Sequence, residues 1–333
     1  MIPLNKSDWS VCEYEDATPI KLFTLQTMNC YVNPVVSIIG FIANMMSIEI
    51  LRRSGLSKPS NILLLGLVVS DSMSQMTTLN FAIILEEFGP GMEYPELCGW
   101  QYEEGLNYFL LVCNIIFKFL GFWGQYVNTA VPVIIVVERF FAVFKPLTFK
   151  AIVTKKTMTT CVVSAFLFWL PWALFYISSY RMHIFLSKVM VLSVDSMDIN
   201  HATLLNLFYF YISDILSSWF PMTFVLIGCI LTWIKVKITF SQRKKLTSAN
   251  QRVQWSNKTT RTLLTTCAIF TATRIISSLM NYLIREGGVL ITYIKIEFIN
   301  FVFLMNSSSN FFVYVFSNKK LLTIFRQIIR LDK

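Results

Sequence analysis

The sequence predicts an all-α membrane protein, a seven-transmembrane helix bundle with its N-terminus outside. Three observations carry that prediction. The 333 residues are 55% hydrophobic and only 14% charged, whereas a soluble domain carries about a quarter charged residues. The apolar residues gather into continuous runs of about 20, the length a helix needs to cross the hydrocarbon. The basic residues gather in every second connection between those runs, as they do in cytoplasmic loops.

Taken in order, residues 1–28 form an extracellular N-terminal segment. It lacks a basic start followed by an apolar core, so it does not read as a cleaved signal peptide, and targeting falls to the first span. Spans are expected near 29–51, 61–85, 106–137, 158–178, 204–234, 262–284 and 289–316, the second and sixth rich in Ser and Thr. The runs do not alternate, so they read as helices rather than barrel strands. Arg52, Arg53 and Lys58 follow the first span. Arg139, Lys145, Lys150, Lys155 and Lys156 follow the third, and Lys235, Lys237, Arg243, Lys244, Lys245, Arg252, Lys258 and Arg261 the fifth. With Lys319, Lys320, Arg326, Arg330 and Lys333 in the tail, most of the 29 basic residues share one side. Acids mark the other: Glu13, Glu15 and Asp16 before the first span, and Glu86, Glu87, Glu93, Glu96, Glu103 and Glu104 after the second. Anionic inner-leaflet lipid suffices as partner for the net charge of +10, and no nucleic acid is needed. Asn5-Lys6-Ser7 is a glycosylation acceptor on the outer side; Asn257-Lys258-Thr259 matches too but falls inside. In the tail, 317–333, Leu321, Leu322, Ile324, Phe325, Ile328 and Ile329 recur at helical spacing among basic residues. That pattern describes a short amphipathic cytoplasmic helix on the inner leaflet.

At the inner end of the third span stands VVERFFAVFKPL, an acid and a base side by side after a long apolar run. Glu138-Arg139-Phe140, continued by Ala142-Val143 and Pro146-Leu147, resembles the Asp/Glu-Arg-Tyr motif of the rhodopsin-like (class A) G-protein-coupled receptors. Gly40 and Asn44 resemble that family's first-helix element, and Asn61-Ile62-Leu63-Leu64 leading to Asp71 its second-helix run. Pro221 matches the fifth-helix proline, and Asn306, Ser307, Asn310 and Tyr314 in NSSSNFFVYVF the seventh-helix motif. The resemblance covers about residues 29 to 330 and is nearest to invertebrate chemosensory or neuropeptide receptors, molluscan ones among them. It implies a plasma-membrane receptor that binds an extracellular peptide or small molecule and activates a heterotrimeric G protein. Glu138, Arg139, Asn310 and Tyr314 are then the coupling switch, with Arg139 meeting the G protein when the sixth helix swings outward. The plainer alternative for Arg139 is a boundary arginine that snorkels to the interface.

A charge at mid-membrane costs about 2.5–3.5 kcal/mol on insertion scales, so each one needs a reason. Asp71 lies mid-span, with Asn128, Asn306, Ser307 and Asn310 at a similar level. Oxygen-rich groups around one carboxylate suit a small hard cation, and the resemblance implies sodium; a purely structural polar cluster is the alternative. Lys118, Gln125, Asp214, Arg274 and Glu297 match the depth of the family's ligand cavity, and suit a zwitterion or a peptide terminus. Pairing among themselves, as of Lys118 with Glu297, is the alternative. Phe117, Phe122, Trp123, Tyr126, Tyr209, Tyr211, Trp219 and Tyr293 are candidate walls, though most aromatics in such a bundle simply pack or face lipid.

Several positions depart from the family. Arg274 and Ile276 replace the sixth-helix tryptophan and proline, making Arg274 a candidate ligand contact or a partner for Asp71. Phe311 replaces the seventh-helix proline and Cys229 a fifth-helix tyrosine. No acid lies between Phe240 and Arg261 to pair with Arg139. Relatives tie the top of the third helix to the second outer loop by a disulfide, yet residues 179–203 hold no cysteine. Cys12, Cys30, Cys98 and Cys113 are the outer-side thiols, and Cys98 is expected to pair with Cys12 or Cys113. Pro132 is the candidate bulge that absorbs a one-residue offset of Cys113. The rival functions carry less. A transporter or channel would show broken helices or repeats, and a retinal-binding sensor needs a lysine where Leu304 stands. An enzyme would need more than His183 and His201, so no cofactor is expected beyond the sodium ion.

Overall fold

The structure, a computed structural model, describes residues 19–78, 104–178, 180–185, 189–194, 215–246, 265–280, 289–317 and 319–328. The first span runs from Pro19 to Ser54, α-helical except for one wide π turn at Thr27–Val32. Pro34 follows that turn directly. Proline has no N–H for the carbonyl four residues back, and its ring crowds that carbonyl; a widened turn relieves both problems. The fifth span repeats the arrangement, with a π turn at Ile215–Trp219 before Pro221 in the helix Phe220–Leu246. Pro132 behaves differently from the sequence expectation. The third span, Glu104–Phe144, keeps α-helical register through it, so the expected bulge is not formed there.

The second span is Pro59–Ser74 with a tighter 3₁₀ end at Gln75–Thr78, and the fourth is Lys155–Ser178. The sixth is described over Thr265–Met280 and the seventh is Val289–Ser317. Five described helices are long and apolar enough to cross a membrane; the second and sixth are the shorter ones. Gly55 ends the first span with φ 91°, its N–H reaching the Leu51 and Arg52 carbonyls at 3.2 and 3.3 Å. Only glycine takes that left-handed conformation without steric cost. Outside the bundle, Tyr180–Phe185 and Val189–Val194 pair as an antiparallel hairpin, a feature the all-helical reading did not include.

Solvent preference is inverted relative to a soluble protein. Ile38, Ile39, Ile42, Leu167, Phe168, Ile227 and Leu231 face outward, while Asn44, Ser70, Asp71, Gln75, Thr129, Ser307 and Asn310 are buried. Lipid demands this arrangement, because polar groups must be satisfied within the protein. Leu63, Leu67, Val68, Val127, Val131 and Ile135 seal the second span against the third beside the polar core. Gly40 allows a close approach: a Cβ there would overlap the Ser308 hydroxyl and the Gln75 amide. The tail helix Lys319–Ile328 tucks Leu321 and Phe325 against the bundle. Phe311 meets Phe325 edge-on at 5.5 Å, so the residue replacing the family's proline anchors the tail.

Candidate functional site

The site has three levels, and the innermost begins with a helix start. Pro59 occupies the first turn of the second span, and no side chain caps that end. Ser60 is therefore free to turn its hydroxyl toward the third span. It accepts from Arg139 Nη2 at 2.9 Å and donates to Glu138 Oε1 at 3.2 Å, while Arg139 Nε lies 2.7 Å from Glu138 Oε2. Glu138 is only 2% exposed. The third helix runs on to Phe144, because Lys145 precedes Pro146 and that position disfavours helix. Arg139 thus sits within the helix, past the end of its apolar run. Nearby, Asn61 donates to the Gly55 carbonyl at 2.7 Å and to Ser54 at 3.3 Å, clasping the first inner turn. Cys229 and Cys267 pack together between the fifth and sixth spans, beside Val136 of the third. Tyr314 is buried near Thr266 of the sixth span.

The middle level is the polar core. Asp71 is fully buried. Asn128 donates to one carboxylate oxygen and Asn310 to the other, each at 2.8 Å. Ser307 lies 3.4 Å from the Asn128 amide and 3.3 Å from the Ser74 hydroxyl. The structure therefore brings together four of the five candidate ion ligands in direct contact, and Asn306 is buried beside them. Asn310 belongs to this core rather than to the inner mouth.

The outer level is a cavity of about 170 Å³ lined by Phe122, Gln125, Ser217, Arg274 and Phe303, with Ser74, Asn128, Asn306 and Ser307 at its floor. Gln125 and Arg274, two of the candidate ligand residues, open into it. The Arg274 guanidinium lies 4.6 Å from the Phe303 ring centre and 5.4 Å from that of Phe270. It does not meet Asp71, whose carboxylate is held by Asn128 and Asn310, so the candidate internal pair is not made. Lys118 and Glu297 do not line the cavity. Glu297 instead accepts from Asn33 of the first span at 2.7 Å. Of the candidate walls, Phe122 and Tyr126 line the cavity and Phe117 does not. Trp123 donates to the Phe166 carbonyl at 2.9 Å, and Trp219 faces outward. Tyr126 also stacks on Trp169 at 5.0 Å. Cys113 is a free thiol among the described residues, so it does not supply the expected disulfide. Asp214, Cys12, Cys98, Asn5, Tyr209 and Tyr211, and the side chains of Cys30 and Tyr293, lie outside the described residues.

Sequence reasoning missed Ser60 and Phe303. A serine at a helix start reads as a cap, and one phenylalanine among 29 carries no mark.

A cavity between the spans, a polar core beneath it and, below that, a buried acid–arginine pair lie within one helical bundle. The chain belongs to the family of serpentine type 7TM GPCR chemoreceptors, Srw, whose model matches residues 31–320. A comparison with curated proteins found no match. The protein is accordingly a multi-pass receptor of the plasma membrane.

Proposed function

We propose that the receptor takes an extracellular peptide or small chemosensory molecule into the cavity between its third, fifth, sixth and seventh spans. Binding there is passed to a heterotrimeric G protein at the inner end of the third span. One observation carries this reading: Arg139 is held by Glu138 and by Ser60 of the second span, and by no acid of the described sixth span. The described sixth span is therefore untethered by charge toward its inner end, and its outward movement needs no ion pair broken. The Cys229–Cys267 contact joins two neutral thiols rather than opposite charges. In cells expressing the receptor with a promiscuous G protein, Arg139→Ala is expected to abolish ligand-stimulated nucleotide exchange while surface expression persists. Undiminished exchange in that variant would overturn the reading.

The polar core fits a monovalent cation. Among the described residues no group of three His, Cys, Asp or Glu gathers, so a multivalent ion lacks charge. One carboxylate with hydroxyls from Ser74 and Ser307 and the buried, unpartnered Asn310 Oδ1 suits sodium. Asp71, Asn128, Asn306, Ser307 and Asn310 would hold it, and its charge would neutralise Asp71 and tie the second, third and seventh spans. Asp71→Asn is expected to remove the sodium dependence of agonist affinity. A wild-type receptor indifferent to sodium, measured against choline at equal ionic strength, would refute the ion site.

A further inference from the structure

Arg274 is a cation near the middle of the membrane that meets no counter-charge among the described residues. Among the described residues no acid and no hydrogen-bond acceptor meets its guanidinium; two aromatic faces hold it instead, Phe303 at 4.6 Å and Phe270 at 5.4 Å. Rings fix the plane of a guanidinium and offset part of its desolvation, but they accept none of its five N–H donors. The carboxylate at the neighbouring level, Asp71, is occupied by Asn128 and Asn310. What the guanidinium faces is the cavity, where Gln125, Ser217 and Asn306 supply neutral hydrogen-bonding groups and Phe122 an apolar wall. A buried charge left without a partner is costly, whereas a planar fork presented to a cavity matches a carboxylate in two parallel bonds.

We infer that the cavity selects ligands bearing a carboxylate, which docks on Arg274 between Phe270 and Phe303 while Gln125 and Ser217 orient the rest of the molecule. This deepens the proposed receptor function and rests on it only for the meaning of binding, not for binding itself. Two sources share the chemistry: a small organic acid, and the free carboxyl end of a peptide. A cationic amine is excluded from the same position by Arg274.

The test is made on the full-length receptor in lipid nanodiscs, without a G protein, so that it fails independently of the Arg139 experiment. Melting temperature is followed while acetate, benzoate and the N-acetylated tripeptide Gly-Gly-Gly are titrated as choline salts, each against its neutral counterpart: acetamide, benzamide and the C-terminally amidated form of the same N-acetylated tripeptide. At least one acid is expected to raise the melting temperature saturably by several degrees, with no rise from its amide. Response to acetate or benzoate identifies a small acid, response to the tripeptide alone a peptide end. Arg274→Gln is expected to abolish the rise and Arg274→Lys to keep it at roughly tenfold weaker affinity, since lysine keeps the charge but not the fork. Should Arg274→Gln not fold, Arg274→Lys alone decides by that weakening. Arg274→Met supplies a second reading: without ligand it is expected to melt above wild type, because an uncompensated cation has been removed. No response to any acid, an equal response to acid and amide, or an undiminished response in Arg274→Gln would overturn the inference. So would a fall in melting temperature for Arg274→Met, which would show the guanidinium to be satisfied within the fold.

Discussion

Two arginines sit at opposite levels of one bundle, and their surroundings differ in kind. Arg139 has an acid at 2.7 Å and a hydroxyl at 2.9 Å, so its charge is answered within the protein. Among the described residues, Arg274 meets two rings and a cavity. A charge answered internally stores a contact that can be released; a charge left unanswered awaits one from outside. The first suits a latch and the second a docking point. The polar core around Asp71 lies between them, with all its direct partners on the third and seventh spans. Those spans also line the cavity, so the cavity, the polar core and the Arg139 contacts share helices.

The contrast breaks most sharply at Glu138. Removing one member of a buried ion pair costs about 3–5 kcal/mol when the other stays buried. Arg139 lies near the cytoplasmic surface and can recover part of that loss in water. Glu138→Ala is expected to raise ligand-independent nucleotide exchange by about tenfold or more, equivalent to about 1.4 kcal/mol of lost latch, and to lower the melting temperature. An unchanged basal rate would mean that the pair holds no conformation closed. Ser60→Ala sharpens the comparison at smaller scale. It removes two part-buried hydrogen bonds worth about 0.5 kcal/mol each and leaves the ion pair in place, so basal exchange is expected to rise about threefold to tenfold. A larger rise in Ser60→Ala than in Glu138→Ala would reverse the assignment, making the second-span contact the principal restraint.

What the sequence made legible follows from cost. Asp71 stood out because a charge in a long apolar run is expensive, Ser307 and Asn310 because they resemble a family motif, and Asn128 because its spacing from Arg139 sets it at the same depth; the four do converge. Glu138 and Arg139 stood out for the same reason. Depth along a helix was readable from spacing, but facing was not. Glu297 has the depth of a cavity residue yet turns to Asn33 of the first span. Prolines announced a disturbance without giving its form: Pro34 and Pro221 follow π turns, while Pro132 leaves its helix regular. Ser60 and Phe303 had ordinary sequence surroundings, and only the approach of a second helix gives them a role. Cys113 matched a family position, yet among the described residues its thiol is free.

The smallest effect separates the two ways of holding a cation. Phe303 approaches the Arg274 guanidinium more closely than Phe270 does, at 4.6 against 5.4 Å. It also comes from the seventh span, so it alone ties the guanidinium across helices. Replacing either ring by leucine keeps most of the apolar volume and removes the quadrupole, a loss of about 0.5–2 kcal/mol at sites shielded from water. Phe303→Leu is therefore expected to lower the ligand-free melting temperature by a few degrees. Phe270→Leu should lower it too, but that ring is itself a buried part of the fifth–sixth packing, so its loss mixes repacking with the cation term. A double variant with Arg274→Met distinguishes them. The Phe303→Leu cost should largely vanish once the cation is gone, whereas the packing share of Phe270→Leu should remain. If Phe303→Leu costs the same with methionine at 274, the ring is plain packing, and the two arginines differ only in having or lacking an acid.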